Sequence, residues 1–598
     1  MRNVVLIIAL FLSQTIMACV DGTCITTQSQ FDKAVSRINK GEEMHLVLGK
    51  GRYVLNESLV AKAPISIKGK DAVITCASNP FTIQDKERET STHYVYRLSQ
   101  PLSLFPLFYD ENDKIIPVSE SVIDSIGVNY VEGDIVAPKE FDAGVTIKIP
   151  ISSNLEHLKN KVFQKAFGYL DSGWGVVNFM LERSDSQYLY CTTINRCSTK
   201  DFQYDRRVYK KKVRFVIYNA EQKLDRVFYD DEKIYVPKNV KDLYCVNRVD
   251  KEHKIPVILT YSDVELEGVC FVGMSEITVK SPLLAKCDIN KCYFKNSIST
   301  ILRIEKENGQ GVKPAIISGC RFMDCALQTG NIVYLSSEHV GDVCIKMEKC
   351  TVSRYPDGVV GYKNPSGSVY VTANADIEDN IIYNTCRDHL FLWKGEITVS
   401  GNVLFNSDVF NSYPERNFSS DWGIVYCGYI YTDTEEALKN RENHITIENN
   451  LLYGAYAYGN NARGVFIDDG RGDVLCKKNI ILNTQRYTID SRYSRLCDAS
   501  SVRNRYEGNI LSSNYHLASG PAVTGEALPT TQGNIVLTET PNVISNSVIE
   551  SDDVFLNVDS WCSCDGKTIL VSKGLFKLLR QSQAWKKIGK SVKKGRNK

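Results

Sequence analysis

The sequence predicts an all-β chain wound as a right-handed parallel β-helix, with a β-rich insertion near its N-terminus. Three observations carry this. From about residue 265 a short pattern recurs: apolar, any, apolar, two others, then Cys or Asn, then a β-branched or aromatic pair, as in "INKCYF", "ISGCRF", "DIEDNII", "ITIENNLL" and "YEGNIL". The marked positions, Cys270, Cys292, Cys320, Cys350, Asn380, Asn402, Asn450, Asn479, Asn509 and Asn534, mostly stand 22 to 30 residues apart. A repeat of that length holds short strands and polar turns, lacks the helical half of a leucine-rich repeat, and is too short for a propeller blade. Such a unit cannot bury its own apolar face, so coils must stack. The marked residues then form a ladder inside one turn, where an Asn amide bonds the next coil and a Cys acts as a small buried hydrophobe.

The elements follow in chain order. Residues 1–18 read as a signal peptide: Arg2, then the nine-residue apolar core "VVLIIALFL", too short to span a bilayer. Cleavage after Ala18 would set the bulky Ile16 where a small residue is preferred, whereas "IMAC" resembles the bacterial lipoprotein box, which implies lipidation at Cys19. Residues 25–95 are expected to hold an N-terminal cap and the first coils. "FDKAVSRINKGEEMHLVLGKGRYVL" (31–55) reads as an amphipathic helix, a strand and a Gly turn, and "ISIKGKDAVITC" (65–76) as the first coil. The repeat vanishes over 96–255, where alternating segments such as "KVRFVIYNA" predict an inserted β-rich domain, with a helix over 153–170. Residues 256–560 form the main body. Residues 561–598 are expected to be a capping helix and a basic tail, seven of the final thirteen residues being Lys or Arg.

The composition is globular, with 43% hydrophobic and 24% charged residues and a formal net charge of +2. That balance argues against nucleic acid as a partner, because counterion release needs a concentrated basic face. The eight histidines are scattered and no CxxC is matched by a second one, so no metal site is expected. The expected setting is export to the periplasm or cell surface, with a lipid anchor in the outer membrane and a monomeric chain.

Chemistry is expected where the repeat is stretched. Asn402 and Asn450 are 48 residues apart, so this coil carries extra loops, and loops on a rigid scaffold commonly hold function. The next coil contains "GVFIDDGRGD" (464–473), an apolar run ending in Asp468 and Asp469. Asp421 lies 19 residues after Asn402 and Asp468 lies 18 after Asn450, which places two carboxylates on one side of neighbouring coils. Glycoside cleavage needs such a pair, one protonated and one ionised. Aligning the glycines of "WGIVY" and "RGVFID" instead sets Asp468 over Cys427 and moves Asp421 away. For the Asp468–Asp469 pair a turn role and a calcium site stand beside the catalytic one. Strand alternation splits the pair, favouring Asp468 for chemistry and Asp469, next to Gly470, for the turn. Arg463, Arg471 and Arg486 suit either a uronate carboxylate or surface ion pairs. Trp422, Tyr426 and Trp393 suit either sugar stacking or core packing, and His389 is a lone histidine with a structural or catalytic part.

"SDWGIVY", followed some forty residues later by "GVFIDDG", resembles the D-G-G-A-I-Y and Y-L-D-D-G pair of bacterial β-helical glycan-degrading proteins, namely glycoside hydrolase family 141 and its relatives. The resemblance implies a pectate-lyase-like solenoid with Asp421 and Asp468 (or Asp469) as catalytic carboxylates. Trp422 departs from the pattern, in which Gly is usual. The expected function is an exported glycoside hydrolase acting on a complex polysaccharide without a cofactor, calcium being the one exception considered. Two rivals stay open. A polysaccharide lyase would use Lys394 or Arg463 on a uronate, and a non-catalytic glycan-binding or adhesion protein would use the coils as a recognition surface.

Overall fold

The computed structural model describes residues 22–76, segments of 83–246, the coils of 257–511 apart from connecting stretches (the longest being 354–367, 408–421, 429–443 and 492–503), 530–536 without 533, and two strands at 553–557 and 568–572. Three parallel sheets run the length of the body, with thirteen, twelve and ten strands among the described residues, here sheets A, B and C. Each coil contributes one strand to each. Ala375–Glu378 lies in A, Ile381–Tyr383 in B and Leu390–Lys394 in C, and the chain then re-enters A at Ile397–Ser400. The fold is a parallel β-helix. Alternation turns Val333, Leu335, Val369, Val371, Leu390 and Leu392 inward, into one continuous core. Within it Phe271, Phe294 and Phe322 stack at centroid distances of 5.3 and 4.6 Å.

The turn from A to B explains the repeat. It holds two residues in coil after coil, such as Asp379 and Asn380 between Glu378 and Ile381. The first has positive φ: Gly268, Lys291, Gly319, Lys349, Asp379, Gly401, Asn449, Lys478 and Gly508. The second is the ladder. Asn402 Oδ1 accepts from the Asn380 backbone N–H at 2.9 Å and from its Nδ2 at 3.0 Å. Asn402 Nδ2 donates to Ile377 O at 2.8 Å and to Asn450 Oδ1 at 3.0 Å. The same pattern runs through Asn479, Asn509 and Asn534. Cysteines imitate half of it. Cys320 Sγ donates to Ile289 O at 3.3 Å and Cys350 Sγ to Ile317 O at 3.6 Å, the carbonyls an Asn amide would reach. Cys270 is not a rung. It opens a strand of sheet B in register with Tyr293, and Val269 holds the ladder position.

At the N-terminus the helix Gln28–Asn39 is capped by Thr27 with a reciprocal Gln30 bond, and it buries Phe31, Ala34, Val35 and Ile38. Cys24, just before it, is disulfide-bonded. The helix is then interrupted. Leu59–Ala61 pairs with Ile258–Thr260, Ile65–Gly69 with Val264–Glu267, and Ala72–Thr75 with Cys270–Val272. Residues between Thr75 and Ile258 therefore leave the coil and return to it. Their described strands form antiparallel sheets of four, three, six and two strands, beginning at Ile83, so the strands over 83–98 belong to this excursion rather than to the first coils. The excursion docks on the outer face of sheet B: Arg52 bonds Asp113 at 2.6 Å, Asn296 Nδ2 donates to Asp113 O at 3.1 Å, and Leu107, Phe108, Ile234 and Val236 share a small core with Val272. Val162–Asp171, within the helix expected over 153–170, is instead a strand paired on both edges, because long-range pairing outweighs local helical spacing. At the C-terminus Thr568–Ser572 is a strand of a hairpin, and the tail 573–598 lies outside the described residues.

Candidate active site

Long connections flank one sheet. The chain passes from B to C between Ser353 and Val369 and between Ser407 and Trp422, and from C to A between Cys427 and Ile445 and between Ser491 and Arg505. The A-to-B turns never lengthen, because the ladder closes them. The outer face of sheet C is thus a floor bounded by the ends of its strands from which the long connections start.

Register defines that floor. One outward row reads Arg303, Tyr334, Tyr370, Phe391, Tyr426, Phe466, Asp490. Its rings stack on one another: Tyr334 on Tyr370 at 5.0 Å, Tyr370 on Phe391 at 5.1 Å and Phe391 on Tyr426 at 4.6 Å, with interplanar angles of 5°, 17° and 26°. Tyr426 meets Phe466 edge-on at 71°. A second row runs Glu305, Ser336, Thr372, Lys394. An extra residue, Trp393, bulges between Leu392 and Lys394 and stacks on Phe391 at 5.2 Å. Its indole lies across Gly428, where a Cβ would come within 2.8 Å of Trp393 and 2.6 Å of Tyr426. No side chain fits there.

Asp468 stands at the end of this floor. It follows Ile467, which pairs with Cys427, and its N–H donates to Cys427 O at 2.9 Å. Only 4% of it is exposed, and the Tyr426 hydroxyl donates to its Oδ2 at 2.8 Å. That bond suits an ionised carboxylate. Arg463 is wholly buried, ion-paired to Asp490 at 2.5 Å, with its guanidinium 4.0 Å from the Phe466 ring centroid. Asp388, also buried, accepts from Gly423 N–H at 3.0 Å.

The expected site residues therefore separate. Asp468, Tyr426 and Trp393 come together. Tyr426 does not offer a ring face to a sugar, since Phe391 and Phe466 occupy its surroundings; its hydroxyl is what reaches the site. Arg463 lies beneath the surface, committed to Asp490, rather than at a ligand or in a surface pair. His389 is buried, with Nδ1 bonded to Thr385 Oγ1 at 2.6 Å, in a structural setting. Cys19, Asp421, Asp469, Arg471 and Arg486 lie outside the described residues, as does the side chain of Trp422. The strand register corrects the ladder count: Trp422 pairs with Ala462 and Cys427 with Ile467, within one residue of the glycine alignment. The position beside Asp421 thus starts one strand, while Asp468 follows the end of the next. The count fails because the looped coil spends its additional residues before and after its sheet-C strand. Among the described residues no three His, Cys, Asp or Glu side chains gather as a metal-binding group.

The residues that the sequence reading did not single out are Tyr334, Tyr370, Phe391, Gly428, Asp388 and Asp490. The signal was present in "VYL", "VYV", "LFL", "VYC" and "VFI", an aromatic residue between two inward apolar ones in five successive coils.

No family model matches the chain, and no curated protein matches it. Among solved structures, one described as a glycoside hydrolase is 12% identical, covering 85% of this chain and 91% of its own, with a TM-score of 0.48. The catalytic domain of a GH87 alpha-1,3-glucanase in complex with nigerose is 12% identical, covering 78% of this chain and 98% of its own, with a TM-score of 0.20. The Gp54 tailspike of Acinetobacter baumannii bacteriophage AP22, in complex with a capsular saccharide, is 8% identical, covering 86% and 67%, with a TM-score of 0.20. At these identities and scores the matches carry no argument about what this chain does.

Proposed function

We propose that the chain cleaves a glycan by hydrolysis, with Asp468 as one of its two carboxylates. The observation that carries this is the setting of Asp468: a nearly buried carboxylate on the outer face of sheet C, held through one oxygen by Tyr426, at the end of an aromatic floor flanked by the longest connections. Glycoside cleavage divides two roles between two carboxyl groups: one gives a proton to the leaving oxygen, and the other, ionised, attacks the sugar or activates water. The Tyr426 hydrogen bond fits Asp468 to the ionised role. The proton donor is assigned to Asp469, because the register puts Trp422, the neighbour of Asp421, at the far end of its strand from Asp468. Trp393, set by its bulge beside Gly428, walls the site. In this reading the chain is exported and acylated at Cys19, a setting that accords with the disulfide at Cys24; palmitate labelling that persists in Cys19→Ser would remove the anchor from it.

The test is Asp468→Asn, assayed by release of reducing ends from a polysaccharide panel, with thermal unfolding as the folding control. Loss of at least about a hundredfold in turnover is expected, the low end of what a positioned acid or base contributes. A folded variant with wild-type turnover sinks the assignment. Products that absorb in the ultraviolet would show an unsaturated sugar and hence elimination instead. Binding by the wild type without cleavage would leave a recognition protein.

A further inference from the structure

The outer face of sheet B changes character along the helix. One outward row reads Arg321, Thr351, Ile381, Val403, Leu451 and Ile480, polar at first and apolar from Ile381 onward. A second row, two residues further along each strand, passes from Met323 and Ser353 to Tyr383 and then to Tyr453 and Leu482. Although they point away from the core, Tyr383, Val403, Leu451, Tyr453, Ile480 and Leu482 are each exposed by 7% or less. The core inside the helix takes the residues between them, such as Leu452 and Ile481, and none of the six belongs to it or to the small core under the excursion. Ile316 and Leu475, outward on sheet A, are only half-buried. Sheet B therefore carries a cover from Tyr383 to Leu482, and since the burial is within one chain, the cover is part of that chain.

The nearest stretches of chain are too short to supply it. The A-to-B turns hold two residues, and the B-to-C connections after Ala455 and Thr484 (456–461 and 485–488) hold six and four. Connections of that length are spent turning the corner into sheet C, yet Leu451, Tyr453, Ile480 and Leu482 are the most deeply covered. The excursion docks on the same face at its other end, against Val272 and Asn296. The chain beyond the last coil is better placed. Its final coil strand, Ile535–Val536, lies in sheet B itself, so the chain leaves the stack from this sheet. The described strands that follow, Asp553–Asn557 and Thr568–Ser572, pair with each other rather than with a coil. Next comes "KGLFKLLRQSQAWKKIGK" (573–590), whose Leu575, Leu578, Leu579, Trp585 and Ile588 share one half of a helical circumference, with Lys573, Arg580 and Lys587 on the other. As a helix, Leu575 to Ile588 spans about 20 Å. The four coil steps from Val403 to Ile535 cover about 19 Å.

We infer that residues 573–590 form a helix that lies lengthwise on the outer face of sheet B, its apolar half against Leu451, Tyr453, Ile480 and Leu482 and its basic half toward solvent. The segment thus covers the flank of the stack rather than the end of its final coil. It closes an apolar face that would otherwise invite association, and it makes that flank cationic. The inference is independent of the chemistry proposed on sheet C.

The experiment has two arms, both on the full chain. In the first, Tyr453 is replaced by p-benzoylphenylalanine, the protein is irradiated, and cross-linked peptides are mapped by mass spectrometry. Cross-links to peptides within 573–590 are expected. Cross-links only to 408–421, only to a second copy of the chain, or to nothing overturn the inference. In the second, hydroxyl-radical footprinting compares the wild type with Leu578→Asp/Trp585→Asp, which puts charge on the apolar half of the segment. Undocking is a local opening, so modification of Tyr453 and Leu482 should rise about tenfold, the step from their present burial to that of Leu475, while the inward Leu452 and Ile481 stay protected. Unchanged modification of Tyr453 and Leu482 overturns the inference. The second arm decides where the bulky photoprobe disturbs sheet B, and the first decides where the double variant loses protection at Leu452 and Ile481.

Discussion

Replacing Asn402 by alanine is expected to weaken the middle coils by about 2–6 kcal/mol, and the structure shows why. The side chain is 1% exposed and accepts both the Asn380 backbone N–H and the Asn380 amide. Truncation strands those two donors in the interior, at about 1–3 kcal/mol each. Ile377 O and Asn450 Oδ1 each lose a donor as well, but Asn450 Oδ1 keeps the backbone N–H of residue 402. A long stacked array does not unfold in two states, so a global midpoint is the wrong readout. Hydrogen exchange by mass spectrometry over residues 377–405 is the right one. At 1.4 kcal/mol per tenfold, protection of the Asn380 amide should fall by about thirtyfold to twenty-thousandfold. Asn402→Cys restores a thiol donor in the geometry of Cys350 but no acceptor, so it should fall between wild type and alanine. A change under about fivefold in Asn402→Ala, roughly 1 kcal/mol, would refute the claim that the ladder amides stabilise the stack.

Gly428→Ala forces a methyl against Tyr426 and Trp393, and should cost about 1–3 kcal/mol in thermal unfolding; an unchanged melting point would contradict the packing described. Arg463→Met leaves Asp490 buried without its cation and should destabilise by about 3–5 kcal/mol, most of it recovered in Arg463→Met/Asp490→Leu; equal losses in the single and double variants would contradict this. Lys306 is 3% exposed, donates to Ala285 O at 2.7 Å, and burial holds its ammonium below the usual lysine range. The unfolded chain therefore keeps this proton to higher pH than the folded one, so the stability of the wild type relative to Lys306→Met should rise between neutral pH and about 10.5, the unfolded value. A difference flat in pH over that window would count against it.

The ladder was legible in the sequence because one physical constraint repeats there. Each A-to-B turn has room for two residues, the first left-handed and the second small and able to donate to a carbonyl, and only a few residue types meet both demands. That restriction marks each coil from Cys292 to Asn534 with Cys or Asn. Cys270 misled by one position because a cysteine in the neighbouring strand imitates the mark, while the true rung is Val269. The stretch 153–170 misled for a different reason: its apolar spacing suits a helix locally, and only pairing with Val176–Ser184 and Lys211–Ile217 makes Val162–Asp171 a strand.

The sequence by itself determined the β-helix, since stacking identical turns depends on local residue types that recur at a readable interval. It also pointed to Asp468, as a carboxylate closing an apolar strand. The tertiary structure alone decided which residues stand beside it. Loops of unequal length separate one sheet-C strand from the next, so counting from the ladder cannot give their register. Hydrogen bonding between strands does, and it sets Gly428 and Trp393 alongside Asp468. Burial likewise moved Arg463 from a candidate ligand contact to the partner of Asp490, because whether a charged side chain meets solvent or another charge depends on what the fold lays over it.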